Sequence, residues 1–285
     1  MFSTLKKKRS PLRYPGGKAK LFPIILDFIR KNELQDCSYV EPFAGGCGLA
    51  LGLLMENAVS TIHINDIDKG IWAFWHCILN SNSAFIDKMR QTQITIEEWY
   101  KQKRIILNPN SYSVFELGFA TFFLNRANRS GIISAGVIGG FKQNGQYKID
   151  CRFNKDYLEK LIKHIGLYAD RIELSNMDAL DLIKDIDNSN QKSFLYIDPP
   201  YHKQGKSLYT NFYKTEDHQR LAKQISILKS PWIVTYDDEL VIRDLYRRFR
   251  TVEFNLKYSL QTKRSGSELM IVSEGTILPK MSVIN

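Results

Sequence analysis

Five residues, Ser193-Phe194-Leu195-Tyr196-Ile197, form a short apolar run that stops at Asp198-Pro199-Pro200-Tyr201. A run of that length without polar alternation reads as a buried strand. Neither proline can donate to a sheet ladder, and each fixes its own φ, so the strand has to end there. A buried strand needs cover, and the rest of the chain supplies it. Short apolar runs alternate with amphipathic segments, the pattern of an α/β protein.

Further strands are predicted at Tyr39 to Glu41, Thr61 to Asn65, Arg171 to Ser175, Trp232 to Tyr236, Val252 to Tyr258 and Glu268 to Ser273. Helices are predicted at Leu21 to Arg30, Gly48 to Glu56, Lys69 to Leu79, Leu180 to Lys184, Glu216 to Leu228 and Leu240 to Phe249. The last two strands leave no room for a helix between them and should pair as an antiparallel hairpin. Residues 80–169 break the alternation. They read as helices at Ile96 to Arg104, Val114 to Asn128 and Lys155 to Tyr168, with a glycine-rich segment, Ser130 to Phe153, before the last. Thr95 with Glu98 forms a capping box, and Asn144-Gly145 signals a hairpin turn. The expected organisation is therefore one α/β domain, residues 1–79 and 170–285, interrupted by a mainly helical insertion.

Forty Lys and Arg against thirty Asp and Glu give a net charge of +10, which suits a polyanionic partner. Cys37, Cys47, Cys77 and Cys151 form no Cys-x-x-Cys pair, so neither a zinc site nor a disulfide framework is expected. Lys6 to Arg9 has no apolar stretch behind it, so no signal peptide is read, and the Leu49 to Met55 run is too short for a bilayer. These features point to a cytoplasmic chain with a nucleic-acid partner.

The Asp198 corner lies where open α/β sheets bind ligands. It combines a carboxylate, a rigid carbonyl and an aromatic face. Methylation of an exocyclic base amine needs those three groups. The N6 lone pair of adenine is delocalised into the ring, and an acceptor on each N6 hydrogen frees it. Asp198 and the Pro199 carbonyl can serve as the acceptors, and Tyr201 can stack on the base, as aromatics do where a base is extruded. A sulfonium methyl donor is already activated, so no metal is expected.

Val40-Glu41-Pro42-Phe43-Ala44-Gly45-Gly46-Cys47-Gly48 follows the first strand and opens a helix. The glycine spacing is not that of a dinucleotide fingerprint. Glu41 would repel a pyrophosphate and suits the cationic methionyl end of S-adenosylmethionine. Asp66, at the end of the second strand, is placed to accept ribose hydroxyls. Asp68 reads as a helix N-cap. Asp178 reads either as a partner of the cofactor adenine amine or as another N-cap. Tyr14-Pro15-Gly16-Gly17-Lys18 allows a close backbone approach beside a cation, but lacks the glycine spacing and the Ser or Thr of an ATP-binding loop.

Taken in order, Tyr14-Pro15-Gly16-Gly17-Lys18, Glu41-Pro42-Phe43-Ala44-Gly45, Asn65-Asp66-Ile67 and Asp198-Pro199-Pro200-Tyr201 resemble the motifs of Dam-type DNA adenine-N6 methyltransferases. Phe123 to Arg126, Asp217 to Ala222 and Lys263 to Leu269 are similar as well. The resemblance implies a class I methyltransferase fold, a Rossmann-like seven-stranded sheet holding S-adenosylmethionine, with an inserted target-recognition domain. By the same resemblance Tyr14 and Lys18 contact the cofactor, and Glu41, Pro42, Phe43, Ala44, Gly45 and Gly46 cradle it. Asp66 with Ile67 takes the ribose, Asp178 the adenine, and Asp198, Pro199, Pro200 and Tyr201 handle the base and methyl transfer. Two departures stand out. The family commonly has Trp-Ala where this chain has Tyr14-Pro15, and often Asn-Gly where it has Ser130-Gly131.

Base reading requires basic and polar residues on an element that can enter a groove. Arg126, Asn128, Arg129, Lys142, Gln143, Asn144, Gln146 and Lys148 are the candidates, with Lys263 and Arg264 on phosphates. Arg126 has the alternative of a structural pair. His202 to Tyr213 reads as a lid, with Tyr209, Phe212 and Tyr213 as candidate partners of the base. The expected partner is double-stranded DNA, a cognate restriction endonuclease is a candidate, and no obligate protein partner is inferred. Cytosine-N4 methylation, RNA methylation and a catalytically silent DNA-binding module are the competing readings.

Overall fold

The computed structural model describes residues 9–14, 17–189, 191–202, 213–257 and 265–279. Two compact units emerge: Met1–Gly17 with Asp68–Asp170, and Lys18–Ile67 with Arg171–Asn285.

The second unit holds the sheet. Its strands are β1 (Ser38–Glu41), β2 (Thr61–Asn65), β3 (Ile172–Ser175), β4 (Ser193–Ile197), β5 (Trp232–Asp237), β6 (Arg250–Lys257) and β7 (Ser265–Val272). They lie in the order β3-β2-β1-β4-β5-β7-β6. The first five are parallel, and β7 runs antiparallel between β5 and β6. This is the expected seven-stranded class I methyltransferase arrangement, with the expected terminal hairpin. Strands β1, β4 and β5 are buried along their whole length, as parallel strands covered on both faces must be. Helices α1 (Phe22–Lys31), α2 (Gly48–Met55), α8 (Ala179–Asn188), α9 (Thr215–Ile225) and α10 (Leu240–Leu245) belong to the same unit, α10 ending short of the predicted Phe249. Leu182, Ile183 and Ile186 of α8 and Leu221 and Ile225 of α9 share a core with Leu195, Ile197 and Val234.

Strand order reverses direction between β1 and β4. Their carboxyl ends therefore flank the switch point, the crevice where ligands of such sheets bind.

The first unit is helical: α3 (Lys69–Asn80), α4 (Asn82–Gln91), α5 (Ile96–Leu107), α6 (Val114–Ala127) and α7 (Lys155–Gly166). Helix α6 is buried almost throughout and starts at a capping box of Ser113 and Glu116. A methyl group at Gly118 would lie 2.5 Å from the Ala73 carbonyl oxygen, and one at Gly70 would lie 2.5 Å from Thr121 Oγ1. These two glycines let α3 lie directly on α6. For that reason the seam falls at Ile67/Asp68, and α3 leaves the α/β unit to which residues 1–79 were assigned. Phe74, Phe85 and Phe122 form the aromatic centre, with ring centroids 5.4–5.8 Å apart.

Two expectations are corrected here. Helix α4 was not anticipated, because only Phe85, Ile86 and Met89 mark its inner face. The hairpin at Asn144-Gly145 does not form. Among the described residues the segment contributes one isolated bridge, Asn128 to Val137. The Gln143 side chain takes the place of a ladder, donating from Nε2 to the carbonyls of Ile138 and Gly140 and accepting from the Ile149 N–H at 2.8 Å.

No helix among the described residues is long and apolar enough to cross a membrane.

Candidate active site

The turn after β1 depends on left-handed backbone at Gly45 (φ 47°) and Cys47 (φ 52°), immediately before α2. Asp66 Oδ2, at the end of β2, accepts the Gly45 N–H at 2.9 Å. Asn65, fully buried one residue earlier, joins three strand ends. Its Nδ2 donates to the carbonyls of Pro42 and Met177, and its Oδ1 accepts from Met177 N–H and Ser175 Oγ, all at 2.8–3.0 Å. Asp178 caps α8 through the Leu180 N–H, so the N-cap alternative describes one of its oxygens. Phe43 is half buried and meets the Tyr213 ring edge-on at 5.7 Å. Pro42, Ala44 and Gly46 are buried in the turn, and Ile67 is exposed.

Glu41 ends β1 and is buried. Its Oε1 is committed inside the fold, accepting from Tyr39 Oη at 2.9 Å and from the Ala50 N–H at 3.1 Å. Burial pushes its carboxyl up to about 8. The two bonds fasten the first turn of α2 to β1.

Across the switch point, Asp198 is held at both oxygens. Oδ1 accepts from Thr235 Oγ1 at 2.8 Å, and Oδ2 pairs with Lys18 Nζ at 3.0 Å. Thr235 is fully buried on β5 and lies 3.1 Å from Tyr196 Oη. Lys18, also buried, sits 4.7 Å from the centroid of the Tyr201 ring. The Tyr201 hydroxyl donates to Glu268 Oε2 at 2.8 Å. Pro199 is buried and Pro200 half buried between these groups. Burial pushes the Glu268 carboxyl up to about 7, with Lys18 and the Tyr201 hydroxyl opposing the shift and Asp198 and Asp237 adding to it.

Behind the corner, His218 is fully buried, with Nδ1 2.9 Å from Tyr236 Oη. The rings of His202, Tyr213 and Tyr236 lie 5.4–5.5 Å from it. Burial, helped by His202, lowers its pKa to about 4, so the ring stays neutral near neutrality.

Asn65, Thr235 and Glu268 carry much of this geometry, and none was assigned a role from sequence. Asn65 and Glu268 each stood inside a motif that resembles the family. Thr235 gave no local signal.

The family of D12 class N6 adenine-specific DNA methyltransferases matches residues 14–260. The chain belongs to this family. It is 25% identical to the type II methyltransferase M.CviBI of Paramecium bursaria Chlorella virus NC1A, over 90% of this chain and 95% of that protein. It is 27% identical to the type II methyltransferase M.MjaIII of Methanocaldococcus jannaschii, over 74% of this chain and 77% of that one. Among solved structures, a protein of Pyrococcus horikoshii described as an RNA methyltransferase aligns with 92% of this chain and 84% of its own, at 10% identity and a TM-score of 0.44.

Tyr14 and the candidates from Arg126 to Lys148 lie in the helical unit. The Tyr14 carbonyl accepts the Gly17 N–H at 3.2 Å. Besides Gln143, whose side chain braces the glycine-rich segment, two of the DNA candidates are structural and are corrected here. The Arg126 guanidinium donates to the carbonyls of Arg152 and Pro11. Burial, with Arg13 nearby, lowers its pKa to about 10. Asn128 is fully buried, accepting from Trp99 Nε1 at 2.6 Å and donating to the carbonyls of Ile132 and Ile133. Their polar capacity is spent on the loop that follows α6. Arg129, Lys142, Asn144, Gln146 and Lys148 are exposed. Phe141 and Tyr147 are exposed beside them, Phe141 stacking on Tyr100 at 5.8 Å and Tyr147 lying 5.9 Å from the Arg152 guanidinium. Pro15, Gly16, Lys203, Lys206, Tyr209, Phe212, Lys263 and Arg264 lie outside the described residues.

Proposed function

We propose that this chain methylates the N6 amine of an adenine everted from duplex DNA, with S-adenosylmethionine as donor. The observation that carries the reading is the position of the Asp198 corner, which faces the Gly45 turn across the sheet's switch point inside one compact unit.

The donor set fits that cofactor. Asp66 and Asp178 put acceptors at neighbouring strand ends, suited to vicinal hydroxyls and an exocyclic amine, and the positive-φ turn brings backbone close. Asp66, Asp178 and the Gly45-Gly46 turn would hold it, with Phe43 along its apolar side. When bound, it supplies a methyl group already activated by a sulfonium leaving group.

The chain's own residues prepare the amine. A carboxylate oxygen has two acceptor sites, so each Asp198 oxygen retains capacity beyond its bond to Thr235 or Lys18. Asp198 and the Pro199 carbonyl accept the two N6 hydrogens and draw the nitrogen away from planarity. Tyr201 holds the base by stacking. Holding reactants in line in this way contributes about 7–11 kcal/mol where geometry is good. Exposed Lys142, Lys148 and Arg129 face phosphates or base edges, and the helical unit recognises the target. Two relatives are named type II methyltransferases, which supports DNA modification as the role, and a cognate restriction endonuclease is part of the proposal.

The test is direct. Purified chain, labelled S-adenosylmethionine and unmodified DNA should yield N6-methyldeoxyadenosine on digestion to nucleosides, and Asp198→Ala should yield none while remaining folded. A product consisting only of N4-methylcytosine, or transfer to RNA alone, would overturn the reading.

A further inference from the structure

We propose that Glu268 is a positioning residue for methyl transfer: its carboxylate anchors the Tyr201 ring through the phenol hydroxyl and thereby fixes the surface on which the target base rests. The inference rests on the base-stacking role given to Tyr201 above.

Glu268 lies on β7 in the interior of the sheet, opposite Asp237 of β5 and Phe254 of β6. It is 2% exposed. A carboxylate there is costly unless something repays its desolvation. Oε2 accepts from Tyr201 Oη at 2.8 Å, and Oε1 has no hydrogen-bond partner among the described residues. The group is therefore fastened at one oxygen only, and that bond goes to the ring beside Asp198. The second constraint on this ring is Lys18, above it at 4.7 Å and paired with Asp198. An aromatic platform held on its face by a cation and at its edge by a hydrogen bond cannot rotate away from the corner. The groups facing Glu268 are Lys18, Asp198, Asp237 and Tyr201, and a glutamine amide oxygen at this position accepts the same hydrogen bond.

The experiment is a mutant cycle with Glu268→Ala, Glu268→Gln and Tyr201→Phe, using the full chain and a duplex bearing its mapped site. Single-turnover methylation should fall about 10- to 100-fold in Glu268→Ala and in Tyr201→Phe, the range expected when a reacting group is misplaced. The double variant should be no slower than either single one, because both remove the same bond. Glu268→Gln keeps an acceptor and should recover most of the rate. With 2-aminopurine at the target position, both single variants and their double should share one fluorescence intensity, distinct from wild type. Additive losses, no recovery by Gln, or three different intensities would overturn the proposal. Should Glu268→Ala fail to fold, Glu268→Asp, shorter by one methylene, takes its place with the same expected coupling. Wild type serves as the control. If it neither methylates adenine nor changes 2-aminopurine emission, the proposed function itself fails; if it does both and the cycle is additive, only the role of Glu268 fails.

Discussion

Lys18 Nζ lies 3.0 Å from Asp198 Oδ2 and 4.7 Å from the Tyr201 ring centroid, so one buried cation touches both outer members of the Asp-Pro-Pro-Tyr corner. Two motifs 180 positions apart in the chain are thereby one piece of chemistry. The ammonium fixes the carboxylate's orientation and presses on the aromatic face from the side. Removing it leaves a partly buried carboxylate without its counter-charge.

Lys18→Met is therefore expected to lower both stability and rate. Losing one partner of a buried pair costs about 3–5 kcal/mol. Asp198 is 21% exposed, so roughly 1–3 kcal/mol is expected here. Thermal denaturation measures the first effect. Single-turnover methylation measures the second, with Lys18→Arg restoring charge but not position.

Thr235→Val removes the other hold on Asp198, together with the acceptor of the Tyr196 hydroxyl. The substitution conserves shape and deletes the hydroxyl that donates to Oδ1. The loss of one hydrogen bond to a charged group is worth about 1.5–3 kcal/mol. Methyl transfer should slow by about tenfold or more, and Thr235→Ser should recover it. An unchanged rate in Thr235→Val would show that Asp198 needs no orientation from β5.

Much of the fold was legible because buried parallel strands are written as apolar runs, and all seven were located within a few residues. The corner at Asp198 and the turn at Gly45 were legible for the same reason, since each follows such a strand. Asn65, Thr235 and Glu268 were not. Their partners lie 23, 37 and 67 positions away, and nothing local marks a buried polar residue as a strut. Glu41 carries a structural part that its acidic character did not announce, since one of its oxygens accepts from Tyr39 and Ala50.

Stability should depend on pH in a way that reports these buried acids. Burial raises Glu41 to about 8 and Glu268 to about 7, from an ordinary value of 4.5. The folded chain keeps protons that the unfolded chain has already released. Stability therefore declines as pH rises from 4.5 toward 8 and levels off above it. His218 works the other way. Its pKa, lowered from 6.5 to about 4, makes stability fall as pH drops through that window. The two trends overlap below pH 6.5, so the carboxyls are best seen above it. The melting temperature should fall between about pH 6.5 and 8, and Glu41→Gln should flatten most of that fall.

DNA affinity should separate the residues that contact phosphates from those that hold the loop. Each phosphate neutralised on B-DNA contributes about 0.9 to the slope of log affinity against log salt. Lys142→Ala and Lys148→Ala remove exposed charges. Each should weaken binding and reduce the slope by about 1, with melting unchanged in Lys142→Ala and slightly lowered in Lys148→Ala, whose ammonium also donates to the Gln143 carbonyl. Arg126→Ala should behave differently, because its guanidinium is bound to the carbonyls of Pro11 and Arg152. Leaving those acceptors unsatisfied costs about 1–3 kcal/mol, so the melting temperature should drop while the salt slope stays put. Asn128→Ala should act as Arg126→Ala does, since its three hydrogen bonds close the same loop against Trp99, Ile132 and Ile133. A salt slope that fell with Arg126→Ala and held with Lys142→Ala would reverse these roles and move the DNA-contacting surface off the glycine-rich loop.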